Sequence, residues 1–345
     1  MTHRLPSVDV LALDVGGANI KAADGRGWTR AEPFAMWRES PRLHAVLERL
    51  VGEAAPARVV ATMTGEIADC FADRADGVGF IVRAVVSACA AAGCPGPGFY
   101  RVDGRIVPPA AAVAEPLAVA ASNWHAVARL AGAVAAQARA FLVDVGSTTT
   151  DIVPLAGGHP DPLADDDPGR MLTGELVYTG IERTPVAAIV RSLPHRGIRR
   201  PVASERFADA RDAWLLTGGL AADPDCRDTA DGGAFTADAA RVRLARTMLV
   251  DPGDVSPADA VAAARHVASA QARLVARALE RVAAGRGWVP EAVVVSGHGE
   301  PLVRLALDRI RWRPEVQTLS AAIGAAASRC APAHALARIA RGDLP

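Results

Sequence analysis

Two stretches of this chain say nearly the same thing. Residues 10–23 read VLALDVGGANIKAA and residues 140–155 read AFLVDVGSTTTDIVPL. In each, a short apolar run rich in β-branched residues ends on an aspartate, passes through a glycine turn and returns as a second extended segment. Such a phrase leaves few folds open. The aspartate stands at the mouth of a sheet, and the turn brings backbone close to whatever fills that mouth. Glycine lets a backbone approach an anion and leaves N–H groups free to cradle it. Asp14 and Asp144 hold equivalent places, 130 residues apart. Their carboxylates are poorly placed to bind phosphate themselves but well placed to hold a hydrated Mg²⁺ that neutralises one.

Folded against each other, the two turns would form a cleft for a polyphosphate. Gly16, Gly17, Ala18 and Asn19 make one cradle, and Gly146, Ser147, Thr148 and Thr149 make the other, with a hydroxyl cluster running on to Thr150. Lys21 is the one lysine among 38 basic residues and would stabilise a leaving phosphate. A third phrase, AVVVSGHGEPLVRLAL at 292–307, reads as strand, Gly297-His298-Gly299 turn and helix, whose N-terminus faces an anion. Asp151 orients the second hairpin or joins the metal shell.

Composition narrows the classes. Thirty-eight basic residues balance 38 acidic ones, which argues against nucleic acid as a partner. Half of the residues are hydrophobic, enough for a large core. The five cysteines are scattered without a C-x-x-C pair, so structural zinc and a disulfide framework are not expected and a reducing cytoplasm is. The N-terminal segment carries no signal-like apolar region, and no stretch is apolar enough to span a membrane.

The order of elements is hairpin strands, helices, hairpin strands, helices. Helices are expected at 41–51, 75–92, 123–138, 236–249, 257–284 and 300–308, and further strands at 58–63, 98–102, 174–178 and 292–296. This describes an α/β protein of two similar α/β lobes around a cleft. The first lobe is expected over 1–138 and the second over 139–318, with a C-terminal helical segment, 319–345, packing back on the first.

Three such elements in this order resemble the superfamily of actin, sugar kinases and heat-shock chaperones, that is, the actin-like ATPase (ribonuclease H-like) fold. DVGGANIKAA and DVGSTTTDIVPL look most like its hydantoinase/oxoprolinase branch. ATMTGEIADCF, SNWHAVARL, LTGELVYTGIERTPV and GIRRPVASERFADARDAWLLTG resemble a narrower family, from Val8 to Ile323. These are the proteins of the tetrahydromethanopterin-linked one-carbon pathway of methylotrophs, homologues of the archaeal furan-methyl transferase of methanofuran biosynthesis. The first turn departs from the superfamily pattern: Ala18 stands where a hydroxyl is common, with Asn19 as a substitute donor.

The resemblance implies an alkyl transfer. An aminomethylfuran-methyl diphosphate would meet the phenol of a tyrosine- or tyramine-derived acceptor, and pyrophosphate would leave. ATP is not required in this reading. Mg²⁺ would be, and a homodimer is the candidate assembly. Because a phenol has a pKa of about 10, a general base is expected. Glu66 and Asp69 are the first candidates and Glu175 the second. Arg183 would contact the diphosphate or the acceptor carboxylate. His125 and Trp124 read as core, and Arg199-Arg200 as a solvated or acceptor-facing pair. The competing readings are an ATP-dependent kinase or hydantoinase-like hydrolase, and a nucleotide-binding scaffold without turnover.

Overall fold

The structure, a computed structural model, describes residues 8–135 and 139–344. The reading of a leaderless N-terminus, the last three residues of the helix expected over 123–138 and the end of the C-terminal segment therefore fall outside the described residues.

Two mixed sheets form the frame. The first contains β1 (Val8–Val15), β2 (Asn19–Ala23), β3 (Thr29–Pro33), β4 (Pro56–Met63), β5 (Gly98–Tyr100) and β6 (Ile106–Val107), in the order β3-β2-β1-β4-β5-β6. The second contains β7 (Ala140–Val145), β8 (Thr150–Ala156), β9 (His159–Pro160), β10 (Leu176–Val177), β13 (Ala292–Gly297) and β14 (Glu315–Thr318), in the order β10-β8-β7-β13-β14 with β9 on β8. Between them in sequence lies a separate hairpin, β11 (Ser192–His195) with β12 (Ile198–Pro201). In each sheet the repeated phrase is an antiparallel hairpin whose first strand pairs in parallel with a later one, β4 or β13.

Strand parity distributes the apolar residues. In β1, Leu11, Leu13 and Val15 pack with the Leu43–Ala54 and Arg74–Ala91 helices, whereas Val10 and Ala12 face a core shared by both lobes. In β7, Phe141, Val143 and Val145 face the 30-residue helix Pro257–Arg286, and Ala140 and Leu142 face the shared core. Alternate side chains on a strand point to opposite faces. Asp14 and Asp144 therefore rise from the faces that look toward the other lobe.

The shared core is filled by two helices, Asn123–Val134 and Ala331–Arg341, which pack on each other between the sheets. Their small residues permit it. Ala126, Ala131, Ala333, Ala335 and Ala337 are all fully buried, and a Cβ on Gly132 would sit 2.1 Å from the Gly158 carbonyl oxygen. The C-terminal segment forms three helices: Ala331–Arg341 packs on β1, β2 and β4 of the first sheet, Leu319–Ile323 lies against β13 and β14 of the second, and Ala325–Arg329 touches both. The Asn123–Val134 helix, assigned by sequence to the first lobe, also lies against β7, β8 and β9 of the second sheet. Hydrophobic continuity, which chain order does not report, sets that placement.

Local chemistry supports the long elements. Ser256 and Asp259 form a reciprocal capping box at the start of the Pro257–Arg286 helix. Asp73 accepts the Asp76 N–H at 2.8 Å and starts the Arg74–Ala91 helix. The basic stretch after Arg191 forms the β11–β12 hairpin, turning through Arg196 and Gly197 at positive φ. Among the described residues no helix is long and apolar enough to cross a membrane, and all five cysteines are free.

Candidate active site in the interlobe cleft

The two hairpin loops are built alike. The Gly16 N–H donates to the Asn19 carbonyl at 3.0 Å, and the Gly146 N–H to the Thr149 carbonyl at 2.9 Å. The N–H groups of Gly17, Ala18, Ser147 and Thr148 donate to no acceptor among the described residues. Two pairs of free donors thus point away from their strands, as an anion cradle requires. The strand beside each hairpin is tied to it in the same way. Thr64 and Gly65 N–H groups, just past β4, donate to the Val15 carbonyl, and the His298 N–H, just past β13, donates to the Val145 carbonyl. Gly297 (φ 77°) leaves no room for a side chain, since its Cβ would lie 2.1 Å from that same carbonyl oxygen.

Register fixes what flanks each aspartate. Asp14 stands opposite Lys21, whose Nζ lies 3.9 Å from Asp14 Oδ2. Asp144 stands opposite Asp151. Directly opposed residues share a face, so all four side chains rise toward the cleft. Asp14 is buried, with Oδ1 unpartnered. Burial pushes its carboxyl up to about 6, against the pull of Lys21, and the nearby Asp144 charge adds to the rise. Burial also raises Asp144, which Lys21 opposes. Asp151 is raised to about 6 by burial and by Asp144, although Arg170 Nη1 pairs with it at 2.9 Å. Lys21 and Asp14 of the first lobe and Asp144 of the second are thus near enough to influence one another's charge.

This crowd of acids fits a divalent cation. The donors are hard oxygens, one is a buried orphan, and Lys21 and Arg170 are outnumbered by Asp14, Asp144 and Asp151. Among the described residues no three His, Cys, Asp or Glu side chains are arranged as a closed metal site. A hydrated cation held by one or two carboxylates is the form that matches.

Glu66 follows the Thr64-Gly65 anchor beside the first loop. It is 1% exposed and forms no side-chain hydrogen bond or ion pair among the described residues, while the backbone N–H groups of Glu66 and Ala121 lie near its carboxylate and work against the effect of burial. Burial raises its pKa to about 7, the Asp167 charge adds to this, and Arg74 opposes it. Arg74 and Asp167 themselves pair at 2.8 Å and join the first lobe to the second. On the opposite side, His298 is exposed and its Nε2 lies 3.3 Å from Glu182 Oε1. Burial works against the Glu182 charge, but His298, Arg211 and the Ser147 hydroxyl outweigh it and hold the carboxyl at about 2.

Arg183 donates its backbone N–H to the Ser147 carbonyl at 2.8 Å, so its side chain starts at the second loop. Asp14, Lys21 and Asp144 thus lie near one another, Glu66 follows the anchor beside the first loop, and Arg183 starts at the second. Asp69 lies apart: it is exposed and joins no hydrogen bond or ion pair among the described residues, because the turn after Glu66 carries it to the surface. Glu175 is buried, not on the surface, and is consumed by the N–H groups of Leu163 and Ala164 and the Thr173 hydroxyl. It holds the loop before the Asp167–Thr173 helix. His125 bonds Tyr100 and is lowered to about 4 by burial, a neutral core residue. Arg200 bonds His195 on the β11–β12 hairpin.

Sequence reading missed Arg170, Glu182 and Trp37. Arg170 is buried, stacked 4.0 Å from the Trp124 ring centroid and paired with Asp151. Among so many arginines it carried no local signal.

Comparison with known proteins agrees with this frame. Residues 58–169 match the hydantoinase/oxoprolinase family model. Over 339 residues the chain is 28% identical to (4-{4-[2-(gamma-L-glutamylamino)ethyl]phenoxymethyl}furan-2-yl)methanamine synthase of Methanocaldococcus jannaschii, covering 97% of this chain and 98% of that one. It is 26% identical over 180 residues to the protein of the same name from Methanococcus vannielii, covering 52% and 80%. Among solved structures, a nucleotide-free acetone carboxylase chain superposes with a TM-score of 0.57 at 11% identity, over 96% of this chain and 70% of that one. A hexokinase of the ROK family from Thermus thermophilus aligns over 96% and 99% at a TM-score of 0.43 and 16% identity.

Proposed function

From a chain homologous to those archaeal synthases and built on the actin-like ATPase fold, we propose a furan-methyl transferase of methanofuran or methanofuran-analogue biosynthesis. The donor is an aminomethylfuran-methyl diphosphate, and the acceptor is the phenol of a tyrosine- or tyramine-derived molecule. The relatives' name describes a phenoxymethyl-furan, an aryl ether between a phenol oxygen and a furan-bearing carbon. Forming that ether from a diphosphate breaks the furfuryl carbon–oxygen bond, and the electron pair leaves on pyrophosphate. The phenol oxygen supplies the new bond and releases one proton.

The single observation that carries the reading is the pair of like-built glycine loops whose free N–H groups flank Asp14 and Asp144; the buried acid Glu66, raised to about 7 by burial, follows the first loop's anchor. Catalytic acids and bases work best with a pKa near the operating pH. Glu66 takes the phenol proton. The free N–H groups of both loops, with Lys21 and Arg183, hold the diphosphate and stabilise the charge that grows on it as the carbon–oxygen bond stretches. Asp14 and Asp144 would hold Mg²⁺, which when bound would neutralise part of the leaving-group charge. The furan ring spreads the positive charge on the reacting carbon, so the protein's main task is to hold and orient.

The test is release of pyrophosphate by the purified chain in the presence of Mg²⁺. Release is expected only when furan diphosphate and a phenolic acceptor are both present, with the aryl ether as co-product. ATP turnover driven by a small-molecule acceptor, with no ether formed, would instead identify a kinase or hydrolase.

A further inference from the structure

Each hairpin loop carries a strap on its carbonyl side. The Ala18 and Gly17 carbonyls accept the N–H groups of Phe34 and Met36, each at 2.9 Å. The Gly146 carbonyl accepts the Ile181 N–H at 3.1 Å, and the Ser147 carbonyl accepts those of Glu182 and Arg183 at 3.2 and 2.8 Å. The loops turn their carbonyls to the straps and keep their N–H groups for the cleft. The straps then meet: the Arg183 guanidinium carbon lies 4.5 Å from the Trp37 ring centroid. Trp37 is one residue beyond the first loop's anchor, Met36, and Arg183 is itself an anchor of the second loop. The two residues therefore join one phosphate loop to the other across the lobes, and both are half-buried.

The arginine in this contact is unusual for its surroundings. Arg170 is engaged by Asp151, Arg74 by Asp167 and Arg211 by Glu182. Arg183 pairs with no carboxylate among the described residues, and its guanidinium donates to no protein acceptor. Stacking on an aromatic face uses the flat side of a guanidinium and leaves its in-plane N–H fork open. A fork of that kind matches the paired oxygens of a phosphate.

We propose that Trp37 is a positioning residue. Its indole in the first lobe fixes the Arg183 fork of the second lobe on a diphosphate lodged between the two loops. The inference rests on reading the cleft as a diphosphate site, and it adds a grip that is complete only when the lobes are together. Without the indole, Arg183 keeps its charge but regains its rotamer freedom, so the fork must be ordered by the ligand itself.

The experiment titrates the full chain with Mg²⁺ and inorganic pyrophosphate, by calorimetry and by indole fluorescence, for wild type, Trp37→Phe, Trp37→Leu, Arg183→Gln and Trp37→Leu/Arg183→Gln. A phenyl face still stacks, so Trp37→Phe should bind within about threefold of wild type and lose the ligand-induced fluorescence change. Leucine keeps apolar bulk without the π face, so Trp37→Leu should weaken binding about tenfold. If indole and guanidinium act as a unit, the double variant should bind no more weakly than Arg183→Gln alone. Wild-type affinity in Trp37→Leu, or losses that multiply in the double variant, would overturn the positioning role. A wild-type chain that ignores pyrophosphate would overturn both the grip and the cleft reading. Pyrophosphate binding with the expected variant pattern, in a chain that fails the transfer assay, would support the grip and sink the furan chemistry alone.

Discussion

The two lobes repeat one scaffold and load it differently. In the first, Asp14 is opposed by Lys21, the loop is Gly-Gly-Ala without a hydroxyl, and the neighbouring strand ends in the buried acid Glu66. In the second, Asp144 is opposed by Asp151, the loop carries Ser147 and Thr148, and the neighbouring strand ends in the exposed His298. The first lobe thus compensates part of its own charge and holds the proposed proton acceptor. The second concentrates negative charge and hydroxyl donors, offset by Arg170 on Asp151 and by Lys21 from the first lobe; the proposed divalent ion would offset the rest. On the proposed reading, a duplicated backbone has become an asymmetric site, with proton chemistry on one side and anion holding on the other. Only the floor, Asp14 with Asp144, is common to both.

That shared floor carries the largest expected effect. Asp14→Asn and Asp144→Asn should each lower turnover about 10³-fold while leaving the fold intact, since each removes one carboxylate from the cation that offsets the leaving-group charge. Wild-type pyrophosphate release in both would break the symmetric part of the comparison. Glu66→Gln should come next, at about 10²-fold or more, and should erase the rise in activity with pH through about 7. The loss should shrink with an acceptor phenol of lower pKa; equal losses for all acceptors would make Glu66 structural. Stability offers a second readout. A carboxyl raised from 4.5 to about 7 holds its proton more tightly folded than unfolded. Its burial is therefore free below about pH 4 and increasingly destabilising as pH rises through 7. Denaturant unfolding should find Glu66→Gln more stable than wild type at pH 8, by roughly 2–3 kcal/mol, and no different at pH 4. Lys21→Met should cost about 10-fold at neutral pH. It should also move the acid limb of Mg²⁺-dependent activity upward, because Lys21 lowers both Asp14 and Asp144. An unmoved limb would separate the lysine from the floor.

How much of this was legible follows from range. The hairpins, their aspartates and their glycines were visible because the turn is local: strand, carboxylate and glycine lie within ten residues. Glu66 and Asp69 were singled out together as acids of one phrase, MTGEIADCF, because three residues of chain look close until a turn carries one outward. The partners were not visible. Asp151 finds Arg170 and Arg183 finds Trp37 through tertiary contacts between residues that carry no pattern of their own. The C-terminal helices were expected on the first sheet, but the second-sheet face of the Asn123–Val134 helix was not, since an alanine-rich helix offers small side chains on every side.

The smallest prediction tests the difference between the two loops most directly. Among the described residues the Thr148 hydroxyl bonds to nothing in the protein, while the first loop has Ala18 in the matching place. If the second loop is the one that holds the anion by its hydroxyls, Thr148→Ala should raise the KM for the diphosphate about threefold to tenfold and leave kcat nearly unchanged, the mark of a contact made equally in the ground and transition states. Ala18→Ser is the converse change. An added hydroxyl on the first loop should lower that KM by less than Thr148→Ala raises it, because backbone N–H groups and Lys21 already serve that side. If the two substitutions instead shifted KM equally and in opposite directions, the loops would be interchangeable grips, and the asymmetry of the site would lie wholly in Glu66 and His298.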